Sequence, residues 1–574
     1  MHRRRYLETV TVCSLASAAG CTSFSDDDPE DDTDTRTDDP EDTVPHTPVT
    51  ERDLSQRLGA AHVASTYRFH ENELDLLNEG ASVLEGLGCR VFKGWLYNLD
   101  REYPYTDWPQ FDTLVETIQH ESFQELLDRE FDTYVFNSTA PTSSVDQGGF
   151  GYFVHGFDDE QAREVEEQCY DLTEYLLETY DDRGTEFVLK NWEGDWILAG
   201  GGGEDGPLQR TVLDRGKRWW SARQRGIQKA RSDIESDAAV FGCCEINRVI
   251  EAKDDDIDWI VNTILSELEV DLVSYSAWDL CRRVADHGRL DDDARAIVHE
   301  TLQYIETQSP EPNDYVEAVL GSEAKPVFVG EYGLPKRRAG IDPAMRAIRG
   351  TTEESLAWGC PYVIFWQTYD NELWIDGERV GSASDPNIED TIDEELDGHP
   401  GNEDVFGFHL IRPDGRRASA WYYFAELVET RTGDFVRVDI DFEDVPLESD
   451  LNPAVPEEHS RHLGLFCYEI AVSDGANTVA FDVGSLDDEV AFGGGVYAPE
   501  SPTGSERARW LGGPDKRTTF YVHLKEAGLD GPLTELELDG AAAEDGLDAT
   551  VLVDGESVES VSLVDGRVSY RFEI

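Results

Sequence analysis

Eight strand–helix units closing into a (β/α)8 barrel, with an all-β module behind it, is the architecture this sequence predicts. Three observations carry the expectation. Short apolar runs alternate with amphipathic stretches from about residue 55 to 428; the runs number eight; and after residue 430 the helical period gives way to period-2 alternation broken by Asp-Gly and glycine-rich turns.

The first strand is the weakest, LGAAHVAST (58–66). GCRVFKGW (88–95) follows a helical segment over 71–87, DTYVFN (132–137) one over 109–130, and EFVLKNWE (186–193) one over 158–182. AAVFGCCEIN (238–247) follows a helix over 209–236, VDLVSYSAW (270–278) one over 256–268, PVFVGEYG (326–333) one over 291–308, and PYVIFWQTY (361–369) one over 343–358. Eight such units favour a closed parallel barrel over an open doubly wound sheet. No glycine-rich phosphate loop follows any strand, which disfavours a nucleotide-binding fold. GFHLIRPDGRRASAWYYFAELVE (407–429) supplies a turn and the last helix. Beyond it, FVRVDIDF, LGLFCYEIAV, NTVAFDVG, TTFYVHLK, LTELELDG, ATVLVDG and VSYRFEI read as strands of a β-sandwich over 431–574, expected to pack on the barrel or to bind carbohydrate.

The chain opens MHRRRYLETVTVCSLASAAGC. Arg3 and Arg4, followed by Tyr6 and Leu7, resemble a twin-arginine export signal, and the apolar run over 10–19 is too short to span a bilayer. Ala18-Ala19-Gly20-Cys21 resembles a lipobox, in which Cys21 becomes lipid-modified and N-terminal after cleavage. Residues 22–50 are Asp, Glu, Thr and Pro with little apolar content, which reads as a disordered acidic tether. The expected order is therefore a signal (1–21), a tether (22–50), the barrel (51–430) and the β-module (431–574), exported and lipid-anchored on the outer face of the cell membrane.

A net charge of −73 runs along the whole chain, and only nine lysines occur. Such a surface repels nucleic acid and anionic membranes, so neither is an expected partner beyond the lipid anchor. Aromatic-rich periodic segments argue against disorder, leaving a folded protein of a halophile, whose acidic surface concentrated salt screens. Outside the signal, Cys89, Cys169, Cys243, Cys244, Cys281, Cys360 and Cys467 show no C-x-x-C spacing, which disfavours zinc. Their pairing is not legible, and small buried thiols are the simplest expectation. No cofactor and no metal is expected.

Barrel sites are built at the C-terminal ends of the strands. Those ends carry Lys93 and Trp95, Asn137, then Asn191, Trp192 and Glu193, then Glu245 and Asn247, then Tyr275 and Trp278, then Glu331 and Tyr332, then Trp366, Gln367 and Tyr369. Histidine is nearly absent, so the set lacks metal-ligand character, and no Ser or Cys neighbours a His as acyl transfer requires. Carboxylates among amides and indoles are what glycoside hydrolysis uses: one protonates the leaving oxygen, and a second attacks the anomeric carbon or activates water. Indoles stack on sugar faces and amides read hydroxyls. Asp370, Asn371 and Glu372, in the loop after the eighth strand, suit substrate contact and plain solvation equally.

A Glu ending strand 4 near an Asn, a Tyr ending strand 6, GEYG (330–333) ending strand 7 and IFWQ (364–367) ending strand 8 resemble the clan of retaining (β/α)8 glycoside hydrolases over about residues 55–430. NWEGDW, SYSAWD and GEYG also resemble a set of exported barrel proteins of haloarchaea and bacteria. The clan resemblance implies Glu331 as nucleophile, Glu193 as acid/base and Trp366 as floor of the subsite holding the cleaved sugar. Lys93, Asn191, Glu245, Asn247, Tyr275 and Trp278 are the accompanying substrate-binding candidates. One departure stands out: the clan has Asn and Glu adjacent on strand 4, whereas Trp192 separates Asn191 from Glu193, which leaves Glu245 as an alternative acid. The expected substrate is an oligo- or polysaccharide. Rival readings are a catalytically silent, polysaccharide-binding surface lipoprotein and a transglycosidase.

Overall fold

The computed structural model describes residues 46–574, apart from 70–73, 143–152, 154–155, 201–206, 386–387, 397, 431–433, 458–459, 486–488 and 502–505. The export signal, Cys21 and most of the tether lie outside the described residues. Of residues 46–50, assigned to the tether from sequence, Val49 is buried in the core.

Eight parallel strands close the barrel in chain order. They are β1 (Leu58–Ala61), β2 (Val91–Trp95), β3 (Thr133–Asn137), β4 (Glu186–Lys190), β5 (Ala239–Ile246), β6 (Leu272–Ser276), β7 (Val327–Tyr332) and β8 (Val363–Phe365). β1 is weak in sequence because its residues are small, and they are small because β2 presses on it. A β-carbon at Gly59 would collide with the Val91 carbonyl.

Helices wrap the outside, among them Asp159–Thr179, Arg210–Asp233, Asp292–Gln308 and Ile341–Trp358. Two expected helices are shorter than their sequence pattern. The one over 109–130 is split into Leu114–Ile118 and Glu121–Leu127, where extended His120 turns its ring to accept the Ser122 N–H at 3.4 Å. The one over 256–268 shrinks to Ile260–Thr263 and a following 3-10 turn. An insertion not anticipated from sequence follows β8: a hairpin of β9 (Glu372–Ile375) and β10 (Glu378–Ser382), then a helix at Ile388–Glu395.

The C-terminal module is two antiparallel sheets. One orders Ala491–Gly494, Arg517–His523, Phe435–Phe442, Leu547–Val553 and Glu556–Leu563; the other orders Thr478–Asp482, Leu463–Ser473, Glu535–Ala542 and Val568–Glu573, with Arg509–Gly512 also on Leu463–Ser473. It docks on the barrel. Tyr422 of the barrel's last helix stacks on Tyr521 at 5.2 Å, Arg417 pairs with Glu526, and Asp342 accepts the Gly495 N–H at 2.6 Å. A cavity at this seam, lined by Arg412, Arg417, Tyr422 and Tyr521 among others, holds none of the strand-end carboxylates.

At the barrel's N-terminal end the first residue of β4, Glu186, seals the floor. It accepts from Arg52 Nη1 at 2.9 Å, the Tyr362 hydroxyl at 2.6 Å and Thr133 Oγ1 at 3.2 Å. Burial alone would push this carboxyl up, but Arg52 and the hydrogen bonds hold it down at about 2. A depressed carboxylate contributes stability above its unfolded value and loses it as pH falls toward the folded one. Glu186→Gln should therefore cost about 3 kcal/mol at neutral pH by stranding a buried guanidinium. In chemical denaturation the gap from wild type should narrow below pH 4.5.

Candidate active site

Strand parity decides which side chains reach the barrel axis. On β6 the inward positions are Ser274 and Ser276. Tyr275 between them points outward, where its hydroxyl donates to Asp279, so it is not part of the site. This corrects the sequence expectation for strand 6, where the residue facing the carboxylates is Ser276. On β2 and β4 the inward ends are Lys93 and Lys190; on β5 and β7 they are Glu245 and Glu331.

Glu193 reaches the same axis from just beyond β4. The strand stops at Lys190, and the chain bends so that Glu193 takes φ +25° and leads into the short helix Gly194–Leu198. A positive φ on a glutamate costs on the order of 1–3 kcal/mol and needs fixed surroundings. Three sequence-predicted site residues supply them. Asn191 donates to the Glu245 carbonyl at 2.9 Å and accepts the Glu245 N–H and Trp220 Nε1–H, each at 2.9 Å. The Glu193 N–H donates to Glu245 Oε1 at 3.0 Å. Asn247 and Asp195 exchange two bonds, Asp195 N–H to Asn247 Oδ1 at 3.1 Å and Asn247 N–H to Asp195 Oδ2 at 2.9 Å.

Asn191 and Glu245 are thus occupied in holding the bend, and Asn247 commits its Oδ1 and backbone N–H to Asp195. The Trp192 insertion is accommodated because the bend, not strand alternation, aims Glu193. Gly194 has no room for a side chain, since a β-carbon there would lie 2.5 Å from the Glu245 carbonyl.

Glu193 and Glu331 meet on one hydroxyl. Ser276 Oγ lies 2.8 Å from Glu193 Oε1 and 3.1 Å from Glu331 Oε2, so the two legs cap the separation of those oxygens at 5.9 Å. On its other side Glu331 Oε1 takes a 2.5 Å contact from Lys93 Nζ, which also donates to the Gly330 carbonyl at 2.9 Å. Gly330 is bare for a reason: a β-carbon would collide with Ser274 Oγ and come within 2.9 Å of Glu245 Oε2. Glu245 Oε2 in turn pairs with Lys190 and accepts from Ser274 Oγ at 2.7 Å.

Three carboxyls and two lysines are therefore buried together, all at most 7% exposed. Burial raises each carboxyl, and what opposes it differs. Lys190, Lys93 and hydrogen bonds bring Glu245 below its ordinary value. Glu331 is raised by burial against the pull of Lys93, while Lys93 is lowered by burial to about 8 against the pull of Glu331. Both shifts lean toward the neutral pair, whereas its 2.5 Å contact favours the ion pair. We assign the ion pair at neutral pH, because Lys93 at about 8 keeps its proton and Ser276 adds a second donor to Glu331.

Glu193 has no lysine of its own; burial, then repulsion from Glu331, lifts it to about 8. The spare proton sits there. The hydrogen bonding agrees, since Ser276 has one proton for two carboxyls. Both contacts are satisfied when Glu193 donates to Oγ and Oγ donates to Glu331.

Aromatic rings rim the pair. Trp366 edges onto Trp95 at 5.8 Å and Trp278 at 6.1 Å, and Lys93 Nζ lies 5.8 Å from the centre of its ring. Trp366 and Trp278 are partly exposed. Asn137, beside Trp95 and Lys190 on the inward face of β3, is buried with neither amide atom hydrogen-bonded to the protein. Sequence reasoning missed Lys190, Ser274 and Ser276. For Lys190 the signal was present, a second strand-end lysine in a chain holding nine. The seven cysteines among the described residues are buried free thiols.

No family model and no curated protein matches the sequence. Similar solved structures include the exo-β-1,4-mannosidase Op5Man5 from Opitutaceae bacterium strain TAV5 (13% identity, TM-score 0.40, covering 67% of this chain and 61% of that one). A GH5_18 protein from Bifidobacterium longum subsp. infantis matches at 14% identity and TM-score 0.40 over 65% of this chain and 78% of that one. A family 5 xyloglucanase from Paenibacillus pabuli matches at 11% and 0.39 over 66% and 99%. The chain thus spans less than two thirds of the mannosidase.

Lys93→Met should leave three buried carboxyls with one lysine. A second carboxyl should then be protonated at neutral pH, growing the infrared band of protonated acid. An unchanged band would mean Lys93 is not the counter-charge of Glu331.

Proposed function

We propose that this protein is an exported glycoside hydrolase working by the retaining, double-displacement mechanism, with Glu331 as nucleophile and Glu193 as acid/base. The observation that carries the reading is the pair itself. Two carboxyls share one hydroxyl beneath an indole rim, and the two oxygens that face it are no more than 5.9 Å apart. Carboxyls about 5–5.5 Å apart suit a covalent intermediate, whereas about 6.5–9.5 Å leaves room for a water between them.

In the first step a Glu331 oxygen bonds to the anomeric carbon as the glycosidic C–O bond breaks, and the Glu193 proton passes to the leaving oxygen. In the second, Glu193, now a carboxylate, takes a proton from water while the water oxygen bonds to the anomeric carbon and releases Glu331. Lys93 keeps Glu331 anionic between turnovers, and Trp366 floors the sugar. Asn137, with an uncommitted amide, reads a hydroxyl. A catalytically silent barrel would have no need of two carboxyls held in this register.

The test is a screen of aryl glycosides and polysaccharides in concentrated salt. Glu331→Gln should lower the rate on every active substrate on the order of 10³-fold or more. Equal rates in wild type and variant would end the proposal. Because Glu193 must carry its proton to act as acid, kcat/KM on substrates whose leaving group needs a proton should fall as pH rises through about 8. That limb should vanish in Glu193→Gln and, in wild type, with substrates whose leaving group needs no proton.

Export and anchoring belong to the same proposal and rest on Arg3, Arg4 and Cys21. Among the described residues no helix is long and apolar enough to cross a membrane. Cys21→Ser should move the protein from the membrane fraction to the medium, and retention in the membrane would exclude a lipid at that residue.

A further inference from the structure

The aromatic rim does not stop at the catalytic pair. From Trp366 the edge contacts pass to Trp278 (6.1 Å), Phe408 (5.4 Å) and Phe406 (5.5 Å), and end in a near-parallel stack of Phe406 on Trp374 (5.2 Å, 27°). Phe406 and Phe408 are buried, whereas Trp366, Trp278 and Trp374 keep part of their surface open. The run is therefore three accessible indoles joined by a phenyl spine, in one continuous path leading out from Glu331. Ring pairs at such spacings hold each other's orientation.

The spine is anchored. Asp370, fully buried, accepts the N–H groups of Gly407 at 2.5 Å and Phe408 at 2.8 Å, the Glu372 N–H at 3.1 Å and the His409 ring at 3.1 Å. One carboxylate thus ties the start of β9 to the segment carrying Phe408. Asn371 accepts Trp366 Nε1–H at 3.2 Å, fixing the inner end to the same loop.

Trp374 is also equipped for more than apolar contact. β9 and β10 pair Trp374 with Arg379, and Arg379 makes a two-pronged contact with Glu372, Nε to Oε2 at 2.6 Å and Nη2 to Oε1 at 2.9 Å. Glu372, Trp374 and Arg379 share one face of the hairpin. The Arg379 side chain is 51% exposed, so donors on its open side face solvent beside the indole. A flat ring flanked by a held guanidinium and a carboxylate offers a sugar a stacking face together with partners for its hydroxyls.

We propose that the β9–β10 hairpin forms an outer saccharide subsite, with Trp374 as platform and Arg379 and Glu372 as hydroxyl partners, so that the substrate is an oligo- or polysaccharide lying along the indole path rather than a single terminal sugar. This rests on the glycosidase reading of Glu193 and Glu331. Trp374 meets Trp366 only through three intervening rings, so one sugar seated over Glu331 leaves the outer platform for another unit of the same chain.

The experiment uses the whole chain in concentrated salt with cello-, manno- and xylo-oligosaccharides from disaccharide to hexasaccharide. In wild type kcat/KM should climb with chain length. In Trp374→Ala the ratio of hexasaccharide to disaccharide should drop roughly tenfold, mainly through KM, with Trp374→Phe restoring part of it and Arg379→Ala losing a smaller part. The same length profile in wild type and Trp374→Ala overturns the subsite while leaving the glycosidase reading intact.

If none of these sugars is hydrolysed, calorimetric titration of wild type and Trp374→Ala with the hexasaccharides decides. A roughly tenfold loss of affinity supports the subsite even though catalysis has failed. Equal affinity, or no binding to wild type, overturns it. Matching unfolding midpoints exclude a folding defect as the cause.

Discussion

Everything at the mouth of this barrel depends on an unequal count of buried charge: three carboxyls against two lysines. A buried carboxylate without a counter-charge is too costly to keep, so one of the three holds a proton at neutral pH. Which one is decided by partners rather than depth, since all three are buried and the least buried, Glu193, is the one that keeps the proton. Glu245 has Lys190, the Ser274 hydroxyl and a backbone N–H; Glu331 has Lys93 and Ser276; Glu193 has only the hydroxyl it shares with Glu331. The difference between a protonated and an ionised carboxyl is thus written as the distribution of two ammonium groups. Removing either lysine would alter protonation at carboxyls it does not touch.

The fold pays for this arrangement with backbone constraints. Gly330 and Gly194 are bare because Glu245 and its neighbours fill the space a side chain would need. Glu193 sits at positive φ, and Asn191, Asn247 and Asp195 devote their polar atoms to holding that bend. Glu245 belongs to both systems. One of its oxygens meets Lys190, the other holds the backbone of Glu193, so the charge balance and the placement of Glu193 are set by one side chain.

The architecture was legible because it rests on period and order. Every barrel strand falls inside an apolar run of the sequence, and the switch to period-2 alternation marks the β-module. The site was legible only in part. Glu331, Lys93, Trp366 and Trp278 stand where strand ends put them, and Glu193 arrives there despite Trp192. Asn191 and Glu245 looked like ligand contacts because amides and acids at strand ends usually are, yet both are consumed by a bend that no periodicity encodes, and Asn247 lends its Oδ1 to the same bend. Tyr275 was misplaced by one residue. On a strand one residue is a change of face, and register between β6 and β7, which skips a position between Tyr275 and Ser276, exists only once the strands are paired. The β9–β10 hairpin did have a signal, the apolar ELWI followed by the two-residue Asp376-Gly377 turn, but its second strand, ERVGS, is mostly exposed and lacks apolar alternation.

The acidity of the chain and the chemistry of its site answer to different physics. Most arginine–carboxylate pairs on the surface are partly exposed, and concentrated ions screen them, so they bear on stability only weakly. Lys93 and Lys190, two of nine lysines in the chain, are wholly buried, where mobile ions do not enter. Salt that neutralises the mutual repulsion of the surface therefore leaves the Lys93–Glu331 and Lys190–Glu245 pairs at nearly full strength. A chain can carry −73 charges and still place single protons at its centre, because burial removes the site from the solvent that surrounds the surface.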